Sequence, residues 1–378
     1  MNVYWYWPFL RREELGLASG VVGPGDELLV HVTARATDPA TSSVPGCTVV
    51  AALPNVAERR ERSPRWLASR ASTYVRRALI RDRTVRFGRF DVCHVMYLNR
   101  FTDPVALRRL GRRTALVSSV HDVVPHQRRL PKAAERALLR VLYDGAGTLV
   151  VHHDFVRRRL LEEFAVDPGR VFVVPLQVPE VAIDPREGVP SPPASRPVVL
   201  FFGAFRRNKG VDVLLDAIRA TTGETDATFV FAGRGAPDVE HLVASAAAND
   251  PRIRAEIGFA TLERKEELFR AADLVVLPYT SFASQSAVLQ DAYAHGVPVV
   301  VSDVGALGDA VREDGTGVVV PPGDRVALAG AVTDALADDA SRRAMSAAAA
   351  RIATARRPEA VGQVLRQVYV DALERASR

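Results

Sequence analysis

A chain of 378 residues exceeds one comfortable hydrophobic core, so two domains are expected. Its 48% hydrophobic and 25% charged residues suit a globular protein, and no run of eighteen apolar residues marks a membrane span. The net charge of +6 rests almost wholly on arginine, because Lys132, Lys209 and Lys265 are the only lysines. Cys47 and Cys93 have no neighbours that suggest a metal site, and MNVYWYWPFLRREEL lacks the pattern of a secretory signal. Both observations predict a reducing, cytoplasmic setting.

Apolar strand-like runs alternate with helical patterns along the chain. The first half offers Asn2–Trp7, Glu27–Thr33, Thr48–Ala52, Val92–Met96, Ala115–Val120, Thr148–His152 and Val171–Pro175. The second offers Pro197–Phe202, Thr228–Ala232, Ile253–Ile257, Leu274–Pro278, Val297–Ser302 and Gly317–Val320. Several are continuously apolar, as strands buried on both faces of a parallel sheet must be. The pattern predicts α/β layering, twice over. Between the two series, Gln177–Glu180 through Gly188–Pro193 has the proline-rich, aperiodic composition of a linker. Ala327–Thr354 reads as plain helix. A last helix is expected from about Pro358 to Ser377, with Val361, Val364, Leu365, Val368 and Leu373 as its apolar stripe.

Arginine is densest between Arg59 and Arg89, interleaved with Trp66, Leu67, Tyr74, Leu79 and Ile80. At helical spacing Trp66, Arg70, Tyr74 and Arg77 fall on adjacent faces. Such a basic amphipathic helix suits an anionic membrane surface or an anionic acceptor, and equally a helix packed on its own domain. No nucleic-acid-binding motif accompanies it, so nucleic acid is not an expected partner. The aromatic run Tyr4–Trp7 either fills the core of the first strand or lines an acceptor site.

Two turns in the second half carry the chemistry. Phe201–Asp212, read FFGAFRRNKGVD, follows a strand and precedes the helical pattern Leu214–Ile218. A glycine turn with Arg206 and Lys209 at a helix start receives phosphate through free N–H groups and full charges. The second turn, SQSAVLQDAYAHGVP from Ser284, follows the strand Leu274–Pro278. Ser284 or Ser286 would cap a helix beginning near Ala287, and Asp291 lies about one turn in, within reach of sugar hydroxyls. Ligands of open α/β sheets bind outside the C-terminal strand ends, so both turns point to one edge, suited to a diphosphate.

Gly203–Gly210, Ala272–Pro278 and Asp291–Val300, continuing through Ser302–Ala306 and Asp314–Asp324, resemble the donor domain of retaining glycosyltransferases of family 4. Order and spacing match from about Pro197 to Asp324. The resemblance implies a GT-B fold: α/β, two facing Rossmann-like domains with parallel sheets, and a C-terminal helix crossing back to the first domain. Residues 1–180 with 356–378 would form the acceptor domain, 181–196 the linker and 197–355 the nucleotide-sugar domain.

The resemblance also implies roles. Gly203, Arg206, Lys209, Ser284, Gln285, Ser286, Ala287 and Asp291 would hold the donor, with Arg206 and Lys209 on the diphosphate and Asp291 on the ribose. In the more loosely matching first half, His121 of the His121-Asp122 pair would touch the donor sugar and count as catalytic with Arg206 and Lys209. Tyr6 and Asp122 are the candidates on the acceptor side, and His153 and Asp154 resemble a polar turn of the family. Two family positions differ: Ala204 replaces an arginine, for which Arg206 would substitute, and Ala283 replaces a glutamate. The implied reaction is metal-independent, retaining transfer of a hexosyl-type sugar from a UDP-, GDP- or dTDP-sugar to a glycan, lipid-linked or natural-product hydroxyl. No cofactor beyond that donor is expected. Domain closure about the linker would exclude water. The alternative, motivated by Ala204 and Ala283, is a catalytically silent nucleotide-sugar binder or assembly partner.

Overall fold

The computed structural model describes residues 1–8, 15–33, 44–56, 63–124, 130–181, 196–221, 226–281 and 285–377. Most of the segment read as a linker (residues 182–195), and with it Ser284, Ala283, Arg59, Arg60 and Arg62, lies outside the described residues. The chain divides into two compact units, Met1–Gln177 with Pro358–Arg378, and Val178–Arg357.

The first unit is a seven-stranded sheet of β1 (Asn2–Tyr6), β2 (Glu27–Thr33), β3 (Cys47–Leu53), β4 (Val92–Val95), β5 (Ala115–Ser119), β6 (Thr148–Val151) and β7 (Val171–Val173). Its order is β3-β2-β1-β4-β5-β6-β7, and every pair is parallel. The connections carry α1 (Gly16–Val21), α2 (Pro64–Phe87), α3 (Asp103–Leu110), α4 (Lys132–Gly145) and α5 (Asp154–Phe164). The apolar residues of the central strands are buried on both faces, which explains their unbroken apolar runs.

α2 begins where Ser63 Oγ accepts the Trp66 N–H at 3.2 Å and Pro64 takes the first turn. Its arginines divide. Arg65, Arg76, Arg83 and Arg86 are exposed, as are Leu67, Leu79 and Phe87. Arg77 and Arg81 turn inward, so the basic stretch is not one solvated face. The Arg81 guanidinium pairs with Asp103 at 2.9 Å and Asp82 at 3.0 Å, lying 5.3 Å from the Tyr6 ring centroid. Burial alone would weaken its charge, but the two carboxylates outweigh that and raise its pKa.

The second unit is a six-stranded parallel sheet of β8 (Val198–Phe205), β9 (Thr228–Gly235), β10 (Ile253–Ile257), β11 (Leu274–Leu277), β12 (Val299–Ser302) and β13 (Gly317–Val320), in the order β10-β9-β8-β11-β12-β13. Around it lie α6 (Val211–Ala220), α7 (Pro237–Asn249), α8 (Leu262–Ala271), α9 (Ala287–Ala294), α10 (Ala306–Asp314), α11 (Arg325–Ala337) and α12 (Asp339–Ala355). β8 and β9 run three residues beyond the apolar patterns that mark them, to Phe205 and Gly235. Glycine permits this: a Cβ at Gly233 would stand 1.8 Å from Gly203 O, and one at Gly235 2.0 Å from Phe205 O.

The final helix α13 (Pro358–Ala376) packs in the first unit against α1. Gly20 and Gly362 allow that crossing, since a Cβ at Gly362 would stand 2.3 Å from Leu17 O. Val361, Leu365, Val368 and Tyr369 enter the first unit's core. Val364 does not: it is 44% exposed, and Tyr369 takes the place expected of it on the buried stripe.

Candidate active site

The carboxyl ends of β8 and β11 are stitched together in the second unit. Gly210 has φ +65°, and a Cβ there would stand 1.8 Å from Pro278 O. Glycine at this position therefore lets the turn after β8 close onto the end of β11. Thr280 N–H donates to Asn208 O at 3.1 Å, and Asn208 Nδ2 donates to Ser281 O at 3.2 Å. The closure sets the Lys209 ammonium 3.5 Å from the Tyr279 ring centroid. Burial first, and then the neighbouring Arg206 charge, push Lys209 down to about 8. Arg206 itself is exposed at the start of the same turn. Two cations held in one turn favour an anion.

The start of α9 lies alongside. A Cβ on Gly203, whose φ is +124°, would stand 3.5 Å from Val288 Cγ2. Ser286 occupies the N-cap position, but its hydroxyl makes no cap bond; it pairs with Tyr279 Oη at 3.2 Å instead. Of the two expected caps, Ser286 does not serve, because the tyrosine takes its hydroxyl, and Ser284 lies outside the described residues. The Ser286 side chain takes none of the first N–H groups of α9, Ala287 is exposed there, and Gln285 Oε1 is buried with no hydrogen-bond partner among the described residues. Asp291, one turn in, is buried and ion-paired with Lys265 of α8 at 2.9 Å. At the ends of β9 and β10, Arg234 lies 3.9 Å from the ring centroid of Phe259, which is 82% exposed.

The first unit holds a cavity of about 670 Å³ at the carboxyl ends of β1, β4 and β5. Tyr6, Arg70, Arg77, Ser119, His121 and Asp122 are among its lining residues. His121 Nε2–H donates to Met96 O at 2.9 Å, which leaves Nδ1 as an acceptor in the neutral ring. Burial lowers its pKa, outweighing the Met96 carbonyl and Asp122, so neutral is the favoured form. The ring stacks on Tyr97 at 4.4 Å and lies 4.9 Å from His152. Tyr6 is both strand core and cavity wall, and burial pushes its hydroxyl up to about 12. Arg70 Nη2 donates to Tyr74 Oη at 3.0 Å, and Arg77 Nε to Pro54 O at 2.8 Å. His153 has a local task, since its Nδ1 accepts the Phe155 N–H at 3.1 Å and caps α5.

Residues 196–338 match the model described as glycosyl transferases group 1, and residues 15–177 match the glycosyl transferase 4-like domain. A D-inositol 3-phosphate glycosyltransferase of Thermobispora bispora is 30% identical over 406 residues, covering 100% of this chain and 91% of that one. This chain belongs to the GT-B glycosyltransferases. Two solved structures share the fold. Sucrose-phosphate synthase of Thermosynechococcus elongatus has a TM-score of 0.73 at 20% identity, covering 99% and 100% of the two chains. Anabaena Alr3699/HepE in complex with UDP-glucose has 0.67 at 17%, covering 98% and 100%.

In this glycosyltransferase, Gly203, Arg206, Lys209, Ser286, Ala287 and Asp291 share one edge of the second unit, and Tyr6, His121 and Asp122 share the first-unit cavity. Tyr279 and Lys265 were not anticipated, although each touches an anticipated residue. Tyr279 carried a signal, as the residue directly after the proline that follows β11. Lys265 carried none, because nothing in its helix distinguishes it from an exposed charge.

Proposed function

We propose that this glycosyltransferase moves a sugar from a nucleoside diphosphate sugar to an acceptor hydroxyl, with retention of configuration and without a metal. The carrying observation is the pair of cations, Arg206 and Lys209, in the turn beside the start of α9. Together with the first N–H groups of α9 they offer positioned charge to a departing diphosphate. In the step envisaged, the bond from the anomeric carbon to the phosphate oxygen breaks as the acceptor oxygen bonds the same face. The acceptor proton passes to the departing phosphate oxygen, so no side-chain base is required. Asp291 would hold the ribose, His121 would accept a hydrogen bond from a sugar hydroxyl, and the Arg234–Phe259 pair offers a stacking surface to the base.

The acceptor reading rests on the first-unit cavity, where Arg70 and Arg77 bring positive charge beside Tyr6. An anionic, hydroxyl-bearing acceptor suits that wall, and the relative from Thermobispora bispora is named for inositol 3-phosphate. Exposed Leu67, Leu79 and Phe87 beside Arg65, Arg76, Arg83 and Arg86 support peripheral contact of α2 with the anionic cytoplasmic face of a membrane. No described helix is long and apolar enough to cross one.

A thermal-shift panel of UDP-, GDP- and dTDP-sugars identifies the donor, since ligand binding to the native state raises its stability. Transfer to D-inositol 3-phosphate, with and without chelator, then tests acceptor class and metal independence. Stabilisation by no nucleoside diphosphate sugar would sink the reading.

A further inference from the structure

A buried hydrogen-bond chain runs from α13 towards the first-unit cavity. Trp5 Nε1–H donates to Tyr369 Oη at 2.7 Å, Tyr369 Oη meets His94 Nδ1 at 2.6 Å, and His94 Nε2 meets Ser119 Oγ at 2.9 Å. All four residues are buried. One set of directions gives every proton in the chain an acceptor. An indole N–H only donates, so Tyr369 accepts there, and its own proton goes to His94 Nδ1. His94 therefore carries its proton on Nε2 and donates it to Ser119 Oγ. Burial first, then His152 and His121, push His94 down to about 3, so the ring stays neutral. The Ser119 hydroxyl is directed at Met96 Sδ, 4.0 Å away, and Met96 O accepts the His121 Nε2–H. The chain thus starts on the last helix and ends on the residue that fixes the His121 tautomer.

We propose that His94, locked by Tyr369, is a positioning residue for His121 in glycosyl transfer. Neither His94 nor Tyr369 lines the cavity, whereas Ser119 and His121 do, so the effect is relayed. Without the Tyr369 hydroxyl, His94 Nδ1 loses its donor and the ring can exchange tautomers. Ser119 then turns its proton to His94 Nε2 and releases the Met96 side chain, loosening the carbonyl that holds His121. The inference rests on the reading of His121 as a sugar-facing residue.

The test is ¹⁵N NMR of the histidine rings in the full chain, applied to wild type, Tyr369→Phe and Val368→Ala. Val368 is buried on the same helix and makes no bond to His94, so its variant controls for lost packing. The expected wild-type spectrum shows neutral His94 and His121, each protonated on Nε2. Tyr369→Phe is expected to give mixed tautomers at both rings and, with UDP-glucose and D-inositol 3-phosphate as substrates, about a tenfold lower kcat at an unchanged donor KM, matching one hydrogen bond's worth of positioning. Val368→Ala is expected to lower the thermal midpoint while keeping both tautomers. A wild-type His94 protonated on Nδ1, or His121 signals unchanged in Tyr369→Phe, overturns the relay. Altered tautomers with unchanged kcat overturn its role in transfer. Absence of wild-type turnover with every UDP-, GDP- and dTDP-sugar of the panel counts against the proposed function instead, and the spectra still decide the relay.

Discussion

The Lys209 ammonium and the Tyr279 ring face each other at 3.5 Å, joining the turn after β8 to the segment after β11. The ring shields the cation from water on one side, while Arg206 repels it on another. Burial and the Arg206 charge together penalise its charge, and on the proposed reading a diphosphate would offset that penalty.

Lys209→Ala is expected to weaken nucleoside diphosphate binding about 10- to 100-fold, the value of a charge-assisted hydrogen bond of about 1.5–3 kcal/mol. Calorimetric titration with UDP, GDP and dTDP checks this, and wild-type affinity in the variant would remove Lys209 from the phosphate site.

The same residue sets a pH dependence. Its folded pKa of about 8 lies below the lysine value of 10.5, so the penalty on folding is complete below pH 8. Stability from this group rises with pH between about 8 and 10.5. Diphosphate binding runs the other way, because it needs the proton: affinity should fall above pH 8, by up to about tenfold per unit. Titrations in buffers of different ionisation heat should show proton uptake at pH 8.5, and none in Lys209→Ala.

Gly210→Ala places a Cβ against Pro278 O at a left-handed backbone position. The φ alone costs about 1 kcal/mol or more, and the contact forces the two turns apart. The expected outcome is a lower thermal midpoint together with loss of diphosphate binding. An alanine variant that binds normally would show that this closure does not position Lys209.

Arg81→Met removes a buried cation and leaves Asp103 uncompensated, at a cost of about 3–5 kcal/mol. Asp103 also accepts the Asn99 N–H at 2.7 Å, so the turn lining the cavity should loosen as well. For a unit of this size the midpoint should fall by roughly 10 °C. A shift near zero in thermal unfolding would mean that Arg81 is hydrated in solution.

Lys265→Met leaves the Asp291 carboxylate buried without its ion-pair partner, costing about 1–3 kcal/mol. If Asp291 holds the ribose, nucleoside diphosphate affinity should fall too, and Asp291→Asn should restore stability but not affinity. Denaturant unfolding and calorimetry on the single and double variants separate the two effects.

Much of this was legible in sequence because two physical signals are local. A strand buried on both faces must be continuously apolar, and Val199–Phe201, Val275–Leu277 and Val299–Val301 are. The turn proposed for phosphate shows glycine and cations at close spacing, Gly203, Arg206, Lys209 and Gly210, and the structure places them in one strand-to-helix turn. Partnerships across elements were not legible. That Ser286 serves Tyr279 instead of its helix, that Lys265 reaches Asp291, and that Arg77 and Arg81 point inward while Arg76 and Arg83 point outward depend on packing between elements far apart in the chain. Helical spacing gives each of these residues a face, but not a neighbour.

The placement of α13 has a consequence for biosynthesis. Tyr369 bonds Trp5 across a separation of 364 residues, and Arg366 reaches Asp26 and Val21 O. β1 thus waits for α13, far downstream in the chain, before its core is closed. At about 5–20 residues per second the ribosome needs on the order of 20–75 s to add the 364 residues that separate Tyr369 from Trp5. Over that interval the surface of α1 that α13 covers has no partner from this helix, so the core of the first unit closes only when α13 arrives.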